Sequence, residues 1–296
     1  VTHYFAAGTL ASGPWSLDLT PERAGWTYSG LRVLELSPQG SYEFDTGDSE
    51  VVVLPLAAQQ IVVTVDGERF EVAGRAHVFA GASDFVYAPR DARVRIEAPA
   101  GGKLALPSAR CEARLSARYG AAADVPIELR GAGSCSREVH NFCAAGVFDA
   151  DRLIAVEVLT PGGNWSSYPP HKHDEDRPGH ESELEEIYYF EIASGPDGMP
   201  GVGYQRVYGT AERPIDVLAE VRTGDVVTIP HGWHGPSASL PGYDMYYLNV
   251  MAGPGAASNA RGRAWLICDD PAYAWIRDTW ATQKVDPRLP LGRSEG

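Results

Sequence analysis

Through the first hundred residues, apolar and polar positions alternate in short runs bounded by glycine, aspartate or proline. A period of two sends successive side chains to opposite faces, so each run reads as a strand with a buried side. The pattern predicts strands over 30–36, 50–56, 60–65, 69–72, 85–87 and 92–97. Within VTVDGERFEV, Asp66-Gly67 separates two alternating runs. That dipeptide suits a two-residue hairpin turn, whose central positions need positive φ.

The second half continues the theme. LIAVEVLT at 153–160, EIYYFEI at 186–192, GYQRVYG at 203–209, DVVTIP ending at Pro230 and YDMYYLNVM at 243–251 all read as strands. SDFVYAPRDARVRI in the first half and GDVVTIPHGWHGPSA in the second each pass from a polar turn through an apolar strand to a proline and a loop. This predicts a divergent internal repeat. The patterning loosens between Pro107 and Asn141, where Ala, Gly and Ser accumulate, so a boundary is expected there. The resulting units are residues 1–125 and 126–296. A short helix is expected over 270–283, with an extended polar tail after Lys284.

At 296 residues the chain has room for two ordinary domains or one extended sandwich. It has no run of about 18 apolar residues of the kind a membrane helix needs, and its N-terminus lacks a basic segment followed by an apolar one. Cysteines stand at 111, 135, 143 and 268 without a C-x-x-C pair, which argues for reduced thiols and against a thiolate zinc site. The expected compartment is the cytoplasm. A net charge of -14 argues against nucleic acid and anionic membranes as partners. It leaves room for a small anionic substrate, because a local arginine overrides a field screened within about 8–10 Å.

Three of the eight histidines and one carboxylate form a metal-ligand pattern. His171 and His173 are two apart, so on a strand their imidazoles share a side and can share an ion. Glu186 opens the next strand, in phase with Tyr188 and Phe190. His234 follows DVVTIP and the Pro230-His231-Gly232 turn, which returns a fourth ligand from a neighbouring strand. A set of nitrogen and oxygen donors without sulfur suits zinc, manganese, iron or nickel.

HKH at 171–173, Glu186, and the run from Gly224 through Pro230 and Gly232 to His234 resemble the two cupin motifs, and cupins are small jelly rolls. Twelve residues separate His173 from Glu186, more than in the generic motif, and one extra residue precedes the last histidine. Glu183, Glu185 and His231 therefore stand as substitute ligands, although strand phase favours Glu186 and His234. The longer strings SSYPPHKHD, LEEIYYFEI, QRVY at 205–208, GDVVTIPHGWH, PGYDMYYLNVMAGP and TPERAGWTYSGLRVLEL resemble the bacterial 5-deoxy-glucuronate isomerase family of inositol catabolism. The likeness runs through nearly the whole chain.

The resemblance implies an all-β bicupin, two jelly-roll β-barrel domains with a few short helices. It also implies a cytoplasmic aldose–ketose isomerase converting 5-deoxy-D-glucuronate to 5-dehydro-2-deoxy-D-gluconate. The first half keeps Pro89 in GASDFVYAP but no ligand follows, and His77 stands alone. Residues 1–125 are thus expected to be a degenerate cupin domain without ligands, and 126–296 the domain with one divalent metal per chain, zinc first among the candidates. A homo-oligomer is compatible with all of this.

Aldose–ketose isomerisation moves a hydrogen between adjacent carbons, which calls for a Lewis acid at the carbonyl and a base at the α-carbon. Glu183, Glu185 and Tyr188 are the catalytic candidates. Arg206 is the expected grip on the substrate carboxylate, because a guanidinium binds one bidentately, and Tyr208 shares its side of the strand. The competing reading of Arg206 is a surface salt bridge. Tyr247 and Asn249 share a face of MYYLNVM and are expected to line the pocket, whereas Lys172 is expected to point away from the metal. Two other functions compete: an iron-dependent cupin dioxygenase and a nonenzymatic sugar-binding bicupin. No glycine-rich dinucleotide fingerprint opens a helix, so no nicotinamide is expected.

Overall fold

The structure, a computed structural model, describes residues 2–254 and 263–291. Residues from Trp15 to Gly120 build a nine-stranded antiparallel sheet. Its spine is the strand Ser49–Val65, which merges two expected strands into one. A bulge between Pro55 and Ala57 bends it, and a proline is tolerated there because the ladder is already interrupted. The first part of this strand pairs with Phe85–Ala88 and Gly102–Arg110, the second with Glu68–Arg75 and Arg93–Ala98. Asp66 and Gly67 both take positive φ, 49° and 91°, as the hairpin turn requires.

The run Val51–Leu56 is apolar and buried at every position because both of its faces are covered. Val51 and Val53 fill the interior of the first half together with Leu34, Val63 and Ile96. Val52 and Leu54 point the other way and pack against Phe142, Ile187, Tyr189 and Leu248 of the second half. At about 1.5–3 kcal/mol for each fully buried side chain of this size, the contact between the halves is a core in its own right.

The second half has two facing sheets. The inner sheet runs Tyr4–Phe5, Val226–Ile229, Glu185–Ile192, Met245–Ala252, Ile154–Thr160, Arg137–Cys143, Ile127–Arg130. The outer one includes Asp216–Val221, Gly203–Tyr208, Trp233–Ser239, His171–Lys172 and Cys268–Asp269 in that order. Val156, Tyr188, Phe190, Val207, Val227 and Tyr247 fill the space between. No helix of the described residues is long and apolar enough to cross a membrane.

Register exposes the internal repeat. Val51 lies opposite Ala88 and Ser108, as Glu186 lies opposite Ile229 and Met251. Glu50 accepts backbone N–H bonds from Asp151, Arg152 and Leu153 at 2.8, 2.6 and 2.7 Å. Glu185, in the matching place, accepts them from Thr27, Tyr28 and Ser29 at 2.7, 2.7 and 2.8 Å. Each half thus closes on the other with one carboxylate. The edge strands of the two sheets also correspond, although only Tyr4–Phe5 crosses from one half to the other. Tyr4 pairs with Val227 and donates to Asp225 at 2.9 Å, while Tyr119 pairs with Val86 and donates to Asp84 at 2.8 Å.

Between the halves lies a buried ionic cluster. Arg75 is paired with Glu157, His140 lies 3.2 Å from Glu157 and 2.7 Å from Glu138, and the Tyr246 hydroxyl donates to Glu157 at 2.8 Å.

Three expectations change. Gly102–Arg110 and Arg137–Cys143 are strands that run into the stretch where patterning loosens, and Arg118–Gly120 and Ile127–Arg130 lie within it. The helix over 270–283 shortens to Ile276–Thr279 plus a 3₁₀ turn, because the Asp270 carbonyl and side chain satisfy turn N–H groups from Ala272 to Ala274. The tail does not trail away: Leu289 is buried and the Leu291 N–H donates to Glu138 at 2.6 Å. Its last residues, 292–296, lie outside the described residues.

Candidate metal centre

His171 and His234 are direct partners across the outer sheet, and Val207 lies opposite His234 on its other side. His173 follows two residues after His171, and the strand alternation returns it to the same side. The donor nitrogens of the three histidines all lie within 4.8 Å of one another, and all three side chains are buried. Glu186 reaches them from the inner sheet. Its Oε2 lies 3.2 Å from His173 Nε2 and 3.0 Å from His234 Nε2.

None of these close approaches is a hydrogen bond. His173 Nε2, His234 Nε2 and Glu186 Oε2 are buried without a partner among the described residues. Leaving such groups unpaired inside a protein costs about 1–3 kcal/mol each, and more when charged. Convergence of three of them on one point is what a cation would relieve. In two of the rings the other nitrogen is used for orientation: His171 Nδ1 faces the Pro169 carbonyl at 3.4 Å and His234 Nδ1 the Gly232 carbonyl at 3.3 Å. A proton on Nδ1 leaves the Nε2 lone pair free for a metal. Burial pushes the His171 imidazole well below its ordinary range. Burial also works against ionisation of Glu186, but His234 and His173 more than reverse it and hold the carboxyl well below the usual carboxylate range. The donor set thus fits a borderline divalent ion with imidazole and carboxylate ligands.

Glu186 Oε1 is held by the Asn249 side-chain amide. Beside it Tyr188 and Tyr247 stack, with ring centroids 4.8 Å apart and planes 10° from parallel. The Tyr188 hydroxyl is 2.8 Å from Ser167 Oγ, which is 3.1 Å from the Tyr247 hydroxyl, itself 2.7 Å from Ser166 Oγ. Burial raises the Tyr188 phenol well above its ordinary value, so it remains protonated at neutral pH. Burial raises Tyr247 as well. His171, Glu186, Tyr188, Tyr247 and Asn249 line one narrow cavity, whose wall is completed in part by Arg130 and Arg137.

Other expected site residues lie elsewhere. Glu185 faces the first half and is consumed by its three backbone donors. Glu183 is exposed on the small hairpin opposite Asp174. Neither is brought to the histidines: Glu183 lies on a separate hairpin, and on the strand of Glu185 the side facing the cavity belongs to Glu186, Tyr188 and Phe190. Arg206 is on the outward side of its strand, paired with Asp216, while Gln205 and Val207 turn inward. The salt-bridge reading is the one realised. Tyr208 shares that outward phase and donates to Asp270. His231 lines a separate groove with Thr2 and His3. Lys172 turns away from the histidines to Asp174 and Glu181, at 2.6 and 2.8 Å. His77 is exposed and forms no cluster.

Arg130 and Arg137 were not anticipated from the sequence, because their strands fall in the loosely patterned stretch. In REVHNFC, Arg137 is in phase with the core residue Val139. That phase identifies Arg137 as inward-facing only once the segment is recognised as a strand.

The chain as a whole is similar to known proteins. The KduI/IolB family profile matches residues 4–276. The 5-deoxy-glucuronate isomerase of Geobacillus kaustophilus is 40% identical over 265 residues, covering 88% of this chain and 90% of that protein. That of Bacillus subtilis strain 168 is 39% identical over 261 residues, covering 88% and 91%. The crystal structure of an IolB-like protein from Salmonella typhimurium LT2 superposes with a TM-score of 0.83 at 32% identity, covering 93% of this chain and 99% of that one. An oxalate decarboxylase from Lactobacillus farciminis, at 12% identity and a TM-score of 0.63, shares the cupin fold and covers 91% of this chain and 88% of its own. A family match from Tyr4 to Ile276, with relatives near 40% identity along almost their whole length, makes this chain a member of the KduI/IolB family.

Proposed function

We propose that this chain is a 5-deoxy-glucuronate isomerase that converts 5-deoxy-D-glucuronate to 5-dehydro-2-deoxy-D-gluconate. His171, His173, Glu186 and His234 would hold one divalent metal ion per chain, zinc first, with manganese, iron or nickel as alternatives. The observation that carries the reading is the convergence of unpartnered Nε2 and Oε2 atoms in a chain whose relatives bear that name. A metal bound there would polarise an aldehyde and its neighbouring hydroxyl as a Lewis acid. Asn249 fixes the Glu186 carboxylate, so the donor set is pre-organised. Tyr188, kept neutral by burial, serves as a hydrogen-bond donor to a substrate oxygen, and the Ser167–Tyr247–Ser166 hydroxyls share the proton with it. The base role considered for Glu183 and Glu185 has no support in this geometry.

The division into an N-terminal cupin without ligands, 1–125, and a metal-bearing one, 126–296, is part of the proposal. Val51 in the place of Glu186 supports it, and Tyr4–Phe5 crosses the boundary to pair with Val226–Val227. Four free thiols fit a cytoplasmic setting. The test is conversion of 5-deoxy-D-glucuronate by the metal-loaded protein, followed by NMR with and without oxygen. A requirement for oxygen would favour a dioxygenase, and binding without turnover would favour a sugar-binding module.

A further inference from the structure

Among the fully buried arginines, Arg75 and Arg137 make an instructive contrast. Arg75 meets the Glu157 carboxylate, and that charge keeps its guanidinium above the ordinary value in spite of burial. Arg137 is 5% exposed and has no carboxylate in salt-bridge range among the described residues. Its hydrogen bonds there leave from Nη1 alone, to the carbonyls of Cys135 at 3.0 Å and Tyr168 at 3.5 Å. The Trp280 ring covers one side, 5.6 Å from the guanidinium carbon. Burial lowers its pKa to about 10, with Arg130 adding repulsion. A buried cation is costly unless an anion compensates it, and strongly perturbed buried charges cluster at functional sites.

The position of Arg137 indicates where the anion would come from. It lines the same cavity as His171, Glu186, Tyr188 and Tyr247. Arg130, the second guanidinium in that wall, is already bidentate to Glu128 at 2.9 and 2.7 Å. One guanidinium of the cavity wall is therefore neutralised by a carboxylate and the other, among the described residues, is not, while the histidine–carboxylate cluster stands in the same cavity. We infer that Arg137 is the anchor for the carboxylate of the sugar acid, holding the chain by its acid end while the aldehyde end meets the histidine cluster. This deepens the isomerase reading and rests on it for the identity of the acid. Carboxylate recognition by a fixed guanidinium fork is geometrically specific, so lysine would replace its charge without its bidentate grip.

The experiment compares the metal-loaded wild-type protein with Arg137→Lys and Arg137→Gln. Two substrates are used, 5-deoxy-D-glucuronate and 5-deoxy-D-glucose, which carries a hydroxymethyl group in place of the carboxylate. Metal content and thermal unfolding establish that each variant is folded and loaded, and the lysine variant serves if the glutamine one fails to fold. The expected result is a KM for the acid raised roughly 30-fold or more in both variants, with kcat changed far less and kcat/KM for the uncharged sugar reduced far less than that for the acid. An unchanged KM for the acid, or an equal loss on both sugars, overturns the assignment.

Equilibrium binding of D-glucuronate against D-glucose separates this inference from the isomerase reading. If the wild-type protein turns over neither substrate yet binds the acid in preference, and Arg137→Gln abolishes that preference, the anchor stands and the isomerase reading falls. If the wild-type protein turns over the acid and the preference survives in Arg137→Gln, the isomerase stands and the anchor falls.

Discussion

Glu185 and Glu186 are neighbours in sequence and opposites in space. The first carboxylate closes on the backbone of Thr27–Ser29 in the other half, and the second points at His173 and His234. Strand alternation alone separates the roles, so amide substitution at the two positions should have different consequences. Glu186→Gln should lose metal while its unfolding temperature without metal stays near that of the wild type. Glu185→Gln should keep its metal and lose stability, about 1 kcal/mol for weakened acceptance from partly buried N–H groups. Elemental analysis and thermal denaturation of both proteins check this. Metal loss in Glu185→Gln with retention in Glu186→Gln would reverse the assignment.

Replacing His171, His173 or His234 with alanine should reduce bound metal well below one ion per chain. The fold should persist, because the apolar interiors of both halves are built without these side chains. Circular dichroism and metal analysis on the same samples suffice. His173→Ala protein that still binds a full equivalent of metal would rule out this ligand set.

Arg206→Ala should leave KM for the sugar acid within about twofold of wild type, because its guanidinium is engaged by Asp216 on the outward side of its strand and exposed ion pairs contribute little. Steady-state kinetics decide it. A rise comparable to that expected for Arg137 variants would return Arg206 to the substrate site.

The ionic cluster between the halves makes stability depend on pH in two directions. Burial would raise the Glu157 carboxyl, but Arg75 and His140 hold it at about 2. A depressed acid contributes stability above its unfolded value, and that contribution is lost as pH falls toward 2. Burial would lower His140, but Glu138 and Glu157 raise it from 6.5 to about 9. Its contribution is complete below 6.5 and is lost as pH rises through 9. The unfolding temperature should therefore decline on both sides of a plateau, and His140→Gln should flatten the alkaline decline. An alkaline decline of equal steepness in that variant would show that another group governs it.

Much of the fold was legible because the strands of both halves alternate strongly and the repeat preserved Asp84 and Pro89 against Asp225 and Pro230. The strand 137–143 was not, since its outward positions carry Glu138 and His140, polar residues buried by a partner half the local pattern does not contain. Strand phase was enough to put Glu186 on the side of His173 and His234 and Glu185 on the other. It was not enough for Arg206, because period two states which residues share a side and leaves open which side faces inward. Val207 opposite His234 settles that, and only the assembled sheet supplies it. Arg137 was illegible for a further reason: the carboxylate that explains an unpaired buried guanidinium would belong to a ligand.

The most direct measurement is anaerobic incubation of 5-deoxy-D-glucuronate with the metal-loaded protein, the metal-stripped protein and the stripped protein after restoration of zinc, manganese, iron or nickel, each followed by NMR. The expected result is quantitative appearance of the ketose in the loaded sample without oxygen or nicotinamide, its loss on stripping, and its recovery with at least one of the four ions. Undiminished conversion by protein shown to hold no metal, or no anaerobic conversion by protein holding a full equivalent, would contradict it.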